Sequence, residues 1–334
     1  MPFREILGQE KAIGFLKQAF SRERIPQSWL FVGQKNVGKY KTAVTLAQYL
    51  NCRKNTNDAC GECDYCTQIA EQNFMDYQVI IPEGKYIKID QIRKSLNWLH
   101  LHSDKAKTRV MILNGAQYLG REAANSFLKT LEEPAQNTVL ILIAESSQQL
   151  QETIVSRCQI VRFRPLSDEI AKQILRKNTN LSTQSINLLG ALSMGSLKVN
   201  VASKIDLIEK IHSKAIDWLI NLSDTTLEEM LQTSGGWGKS KNEELNIFLD
   251  FLEIWFRDLI FVLSGFSQEN LINEYVTPSS NRIYSLSKCA LKFNKEQIQE
   301  IFNRIGSVRK SIEHNANKSL AVESLCLYIH KSTL

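Results

Sequence analysis

The stretch Gly33-Gln-Lys-Asn-Val-Gly38-Lys39 constrains the fold of this chain more than any other. An apolar run, Trp29-Leu-Phe-Val32, precedes it, and a helix-forming stretch from Tyr40 to Leu50 follows. Two glycines and a lysine between a strand and a helix N-terminus make a phosphate cradle, in which backbone N–H groups and one ammonium face an anion. The residue after the lysine is Tyr40, where a Ser or Thr hydroxyl would reach Mg²⁺. The sequence therefore predicts a nucleotide-binding α/β domain that lacks part of its metal chemistry.

Four further apolar runs, Tyr77–Ile81, Val110–Leu113, Val139–Ile143 and Ile160–Phe163, alternate with helical patterns beginning near Ile89 and spanning Ala123–Leu131. This alternation predicts a doubly wound parallel sheet with both faces covered, its ligand site at the carboxyl ends of the strands. Beyond Pro165 the strand signal stops. Short helices are expected over Leu166–Lys177, Thr183–Leu192 and Ser196–Lys204, and longer amphipathic ones from Ile205 onward, notably Glu243–Leu263 and Lys295–Ile312. Ser234-Gly-Gly-Trp-Gly-Lys239 is expected to be a loop between helices, with no phosphate-binding role because no strand precedes it.

Cys52, Cys60, Cys63 and Cys66 bring four soft ligands within 15 residues, a pattern suited to a closed tetrahedral Zn²⁺ site. The surrounding residues have little apolar character, so metal binding would supply folding free energy to this loop. An iron–sulfur cluster, a disulfide pair or free thiols are the rival readings. Cys158, Cys289 and Cys326 read as small buried apolar residues. None of the five histidines, His100 and His102 included, has neighbours that suggest a site.

The net charge of +6 arises wholly in residues 1–164, which hold 22 Lys/Arg against 16 Asp/Glu, whereas residues 165–334 hold 19 of each. Such an excess fits a phosphate-facing surface or ordinary solvated lysines, and falls short of a dedicated nucleic-acid stripe. No apolar run is long enough to span a bilayer and the N-terminal residues lack a secretory pattern. A cytoplasmic protein without membrane association is expected.

Hydrolysis at a phosphate loop also requires a carboxylate at the end of a second strand, to hold Mg²⁺ and position water. After Arg109-Val-Met-Ile-Leu113 come Asn114 and Gly115, so both carboxylate positions are empty. Ser156-Arg157-Cys158 precedes the strand at Ile160. Charge alone leaves Arg157 with two readings, a surface ion pair or an arginine finger aimed at a neighbour's γ-phosphate.

Ile6-Leu-Gly-Gln9, Pro26 before Trp29–Gly33, the four-cysteine module, Leu131-Glu-Glu-Pro134 and Ile154-Val-Ser-Arg-Cys158 occur in an order that resembles bacterial clamp-loader subunits. The resemblance covers residues 1 to about 200 motif by motif. It implies an α/β AAA+ module over residues 1–164 carrying a zinc module at 52–66, a small helical lid over 165–204, and an all-α collar and oligomerisation domain over 205–334.

The same resemblance implies a non-hydrolysing subunit of a hetero-pentamer, in which Arg157 completes the ATP site of an adjacent motor subunit. Gly33, Gly38 and Lys39 would form a degenerate loop that could hold ATP or ADP without turnover. Cys52, Cys60, Cys63 and Cys66 would hold Zn²⁺. The partners implied are the other clamp-loader subunits and, through them, the sliding clamp and primer-template DNA. Lys198, in Met194-Gly-Ser-Leu-Lys198, falls where the family has a nucleotide-sensing residue. The alternatives are an active ATPase motor subunit of the same complex and a free-standing zinc-dependent DNA-binding protein.

Overall fold

The computed structural model describes residues 2–21, 25–54, 57–99, 107–193, 195–197, 204–222, 224–265, 289–313 and 317–333. His100, His102, Met194 and Lys198 lie outside the described residues. The backbone falls into two compact units, one of residues 1–171 with 194–197, the other of residues 172–193 with 198–334.

In the first unit the elements run α1 (Glu10–Ser21), β1 (Ser28–Val32), α2 (Lys39–Asn51), α3 (Asp64–Ala70), β2 (Tyr77–Ile80), α4 (Ile89–Leu99), β3 (Arg109–Asn114), α5 (Arg121–Glu132), β4 (Thr138–Ala144), α6 (Glu152–Val155) and β5 (Gln159–Arg162). All strand pairs are parallel, in the order β2-β3-β4-β1-β5. The two-residue period of each strand divides the core into two layers. Trp29, Phe31, Val110, Ile112, Val139, Ile141 and Ile143 join Ile13, Leu16, Ala43 and Leu46 of α1 and α2 on one side. Leu30, Val32, Met111, Leu113, Leu140 and Leu142 join Ile92, Leu99, Phe127 and Leu131 of α4 and α5 on the other. A strand buried on both faces must be apolar throughout, which is why these runs stand out in the sequence.

The entry to β3 is pinned by a buried ion pair. Arg109 meets Asp76 at 2.8 Å and donates to the Trp98 and Leu99 carbonyls at 2.8 and 3.2 Å, satisfying acceptors left open at the end of α4. Both side chains are about 95% buried, so removing either partner would strand a charge in the core, at a cost of about 3–5 kcal/mol.

The second unit is helical. It contains most of α7 (Asp168–Asn178), which begins in the first unit, with α8 (Thr183–Ser193), α9 (Ile205–Ile220), α10 (Leu227–Lys239), α11 (Asn242–Leu263), α12 (Lys295–Glu313) and α13 (Lys318–Lys331). Helix α11 packs on α8, α9 and α12, and α13 packs on α10 and α12. Ser196 and Leu197, expected in a helix, are not helical, and the Leu166 N–H bonds the Gly195 carbonyl at 3.0 Å in the first unit.

Residues 234–239 are the clearest departure from the sequence reading. They form the last turns of α10 rather than a loop. A capping box, in which Thr226 and Glu229 satisfy each other's backbone N–H groups, starts this helix. Of its three glycines, Gly238 is the one held by packing, while an added Cβ at Gly235 or Gly236 would meet nothing within 4 Å. A Cβ on Gly238 would lie 2.8 Å from the Ser319 Cα, so the glycine lets α13 approach closely, and Trp237 stacks on Phe248 with centroids 4.2 Å apart. These contacts offset the ~1 kcal/mol that an interior glycine costs relative to alanine.

Candidate functional site

The phosphate loop leaves β1 at Val32 and enters α2 at Lys39, as its sequence requires. A Cβ on Gly33 would lie 2.6 Å from the Phe163 carbonyl oxygen, so no side chain fits there. Gly38 takes φ +100° as the N-cap of α2, a left-handed conformation that favours glycine. Buried Gln9 fastens the loop from behind. Its Nε2 donates to the Val37 carbonyl at 3.0 Å and the Arg164 carbonyl at 2.8 Å, while its Oε1 accepts from the Arg164 N–H at 3.1 Å. The motif Ile6-Leu-Gly-Gln9 thus has a physical task that its sequence did not disclose.

The charged groups of the loop are engaged internally. Lys39 is buried and its ammonium donates to the Gly33 and Gln34 carbonyls. Burial lowers its pKa to about 8, although Glu145 works in the opposite direction. Lys35 pairs with Glu145 at 3.3 Å, and the same carboxylate accepts from Gln117 Nε2 at 3.0 Å. Glu145 follows β4, the neighbour of β1, and its carbonyl accepts from the Gly33 N–H at 3.2 Å. It stands after β4 rather than after β3, the position at which a hydrolytic carboxylate is expected from the sequence. The available signal was an acidic residue at the carboxyl end of another apolar run.

Tyr40 does not stand in for a metal-binding hydroxyl. Its ring packs against the core layer of α1 and α2, and its phenol accepts from Gln72 Nε2 at 3.3 Å. At the end of β3, Gly115 has φ +97°, and a Cβ there would sit 3.0 Å from the Tyr118 ring and 3.3 Å from Pro82. The turn at which a nucleotide-hydrolysing chain would need a carboxylate is here filled by tight packing.

Arg157 lies away from this loop. It follows α6 and precedes β5, where the strands begin, whereas the loop follows the carboxyl end of β1. The five residues of β1 separate the two edges by roughly 16 Å. Arg157 meets Glu132, the last residue of α5, at 2.6 Å and donates to the Thr153 carbonyl at 2.9 Å. Its side chain remains 35% exposed. Next to it, Cys158 packs against the α4–α5 core layer, and burial pushes its thiol up to about 12. Ser156-Arg157-Cys158 therefore anchors one side chain inward and presents the next outward.

The four cysteines converge. Their sulfurs all lie within 4.8 Å of one another, against the roughly 3.8 Å edge of a tetrahedron with 2.3 Å Zn–S bonds. Cys52 ends α2, Cys63 caps α3 and Cys66 lies within α3, so the cluster joins two helices. Gln48 Nε2 donates to the Cys66 carbonyl at 2.6 Å, and Asp58 accepts from the Phe3 and Arg4 N–H groups at 2.7 and 3.2 Å. Burial opposes the Cys63 thiolate, but hydrogen bonds from the Cys66 and Arg53 backbone and from the Cys60 and Cys66 thiols bring it down to about 6. The donor set fits a metal ion, with no position left open for water.

A parallel sheet with a glycine-lysine loop between an inner strand and a helix N-terminus defines an α/β module of the phosphate-loop class. The family model described as "DNA polymerase III, delta subunit" matches residues 8–167. The chain is 25% identical over 325 residues to Bacillus subtilis DNA polymerase III subunit delta', an alignment spanning 97% of this chain and 96% of that one. It is 30% identical over 236 residues to the DNA polymerase III subunit gamma of Buchnera aphidicola subsp. Schizaphis graminum, spanning 69% of this chain and 62% of that one. With Haemophilus influenzae subunit delta' it shares 35% identity over 151 residues, 45% of this chain and 46% of that one. The chain is thus similar along nearly its whole length to a DNA polymerase III subunit delta'. Among the described residues no helix is long and apolar enough to cross a membrane.

Proposed function

We propose that this chain is a cytoplasmic, non-hydrolysing subunit of the clamp loader, which supplies Arg157 to the ATP site of a neighbouring motor subunit. In this reading the chain acts within a hetero-pentamer that uses ATP to place a sliding clamp on primed DNA. One observation carries it. Arg157 and the chain's own phosphate loop occupy opposite edges of one sheet, so an arginine finger at this position serves only a phosphate bound to another molecule. The phosphate loop keeps Gly33, Gly38 and Lys39 as a cradle for ATP or ADP, while Tyr40, Asn114 and Gly115 supply no ligand for Mg²⁺. Residues 1–164 form the AAA+ module, 165–204 the lid and 205–334 the collar. Cys52, Cys60, Cys63 and Cys66 hold a structural Zn²⁺ that ties α2 to α3.

The match to a gamma subunit favours a second reading, an active motor. The isolated chain separates the two. Purified protein should release no phosphate from ATP beyond the background of Lys39→Ala, yet should support clamp-stimulated ATPase when mixed with motor subunits. Turnover by the chain alone, abolished by Lys39→Ala, would establish the motor reading instead.

A further inference from the structure

Neither a finger at Arg157 nor a missing metal site explains why a carboxylate stands at the mouth of the phosphate loop. We infer that Glu145 sets the nucleotide affinity of this loop and holds it low, by neutralising Lys35 and opposing phosphate charge in the cradle. The inference rests on the non-hydrolysing reading above.

The geometry supplies three reasons. Glu145 pairs with Lys35 at 3.3 Å and accepts from Gln117 at 3.0 Å, so the carboxylate is held from two directions beside the loop. Lys39 is committed to the Gly33 and Gln34 carbonyls, which leaves its ammonium turned into the loop rather than toward an incoming phosphate. Finally, the residues that would otherwise bring Mg²⁺ between phosphate and carboxylate are absent. Asn114 and Gly115 carry no acid, and the Tyr40 phenol is turned to Gln72. A nucleotide would have to part the partly exposed Lys35–Glu145 pair, draw Lys39 off two carbonyls and then sit beside a negative charge that no metal ion neutralises. The titration of Lys35 agrees: burial lowers its pKa, and Glu145, with a smaller contribution from Tyr118, more than restores it.

Glu145→Gln removes the charge and keeps an amide able to accept from Gln117. Titrating the full chain with a fluorescent ADP and with ATP, each with and without Mg²⁺, should show the variant binding at least ~10-fold more tightly than the unsubstituted chain. The gain should vanish in Glu145→Gln/Lys39→Ala, which places it at the loop, and Glu145→Ala provides a second variant of the same sign. Equal affinity of variant and parent would overturn the inference, as would weaker binding by Glu145→Gln, which would make the carboxylate a ligand of the nucleotide or its metal. ATP turnover by the unsubstituted chain would sink the non-hydrolysing reading and this inference together, whereas unchanged affinity without turnover sinks the inference alone.

Discussion

On the proposed reading, Arg157 would leave Glu132 to reach a neighbour's γ-phosphate, and the geometry of the pair sets the cost of that exchange. The pair is close, at 2.6 Å, but its side chains are 35% and 49% exposed, so water competes for both partners. Exposed pairs of this kind contribute about 0–1 kcal/mol. An arginine finger accelerates phosphoryl transfer by ~10³ to 10⁵, equivalent to about 4–7 kcal/mol of transition-state stabilisation. On that reading the exchange is favourable by several kcal/mol, with Glu132 as the resting partner of Arg157. In a reconstituted complex, Arg157→Ala should lower clamp-stimulated ATPase by orders of magnitude while leaving assembly on a sizing column intact. Glu132→Gln, which removes only the resting partner, should change the same rate by less than about fivefold, the factor that 1 kcal/mol allows. Urea unfolding should place each single variant within about 1 kcal/mol of the parent. Two results would refute this reasoning: a Glu132→Gln complex as inactive as Arg157→Ala, or an Arg157→Ala complex that hydrolyses ATP at the parental rate.

Elemental analysis should find about one zinc per chain bound by four thiolates. Cys60→Ser should abolish that stoichiometry, and iron in place of zinc would overturn the assignment. Lys39 titrates near pH 8 when folded and near the ordinary lysine value when unfolded, so between these limits the unfolded chain binds more protons and stability should rise with pH. Lys39→Met should remove that part of the slope in urea midpoints measured from pH 7.5 to 10. Helix α10 offers opposite signs from one substitution type: Gly235→Ala meets nothing within 4 Å and should stabilise by ~0.5–1 kcal/mol, while Gly238→Ala drives a Cβ into Ser319 and should destabilise by ~1–2 kcal/mol. Equal shifts in the two glycine variants would show that α13 does not press on α10 there.

The strands were legible because a sheet covered on both faces demands unbroken apolar runs, and each run was found. Their ends were read one residue short at Ser28, Thr138 and Gln159, polar residues that extend the strands but carry no apolar signal. Residues 234–239 misled because three glycines resemble a loop when the helix packed against Gly238 is invisible. Gln9 escaped notice for a related reason: a buried glutamine that fastens two distant carbonyls leaves no periodic trace in the chain. At the candidate site, local spacing revealed the cysteine cluster and the loop. What it could not reveal was Glu145, whose relation to Lys35 exists only because β4 lies beside β1.

Strand β5 links two arginines, with Arg157 before it and Arg164, tied to the phosphate loop through Gln9, after it. On the proposed reading the chain is thereby polarised, with a donor end at Arg157 and a receiver end at the phosphate loop joined by one short strand. Two-fold pairing would set donor against donor and waste both. Head-to-tail stacking would instead set each donor against the next receiver, and a rotation repeated in that way closes into a ring or winds into a helix. A ring built so has a direction of travel around it, and a member whose receiver is silenced marks a place where that direction begins.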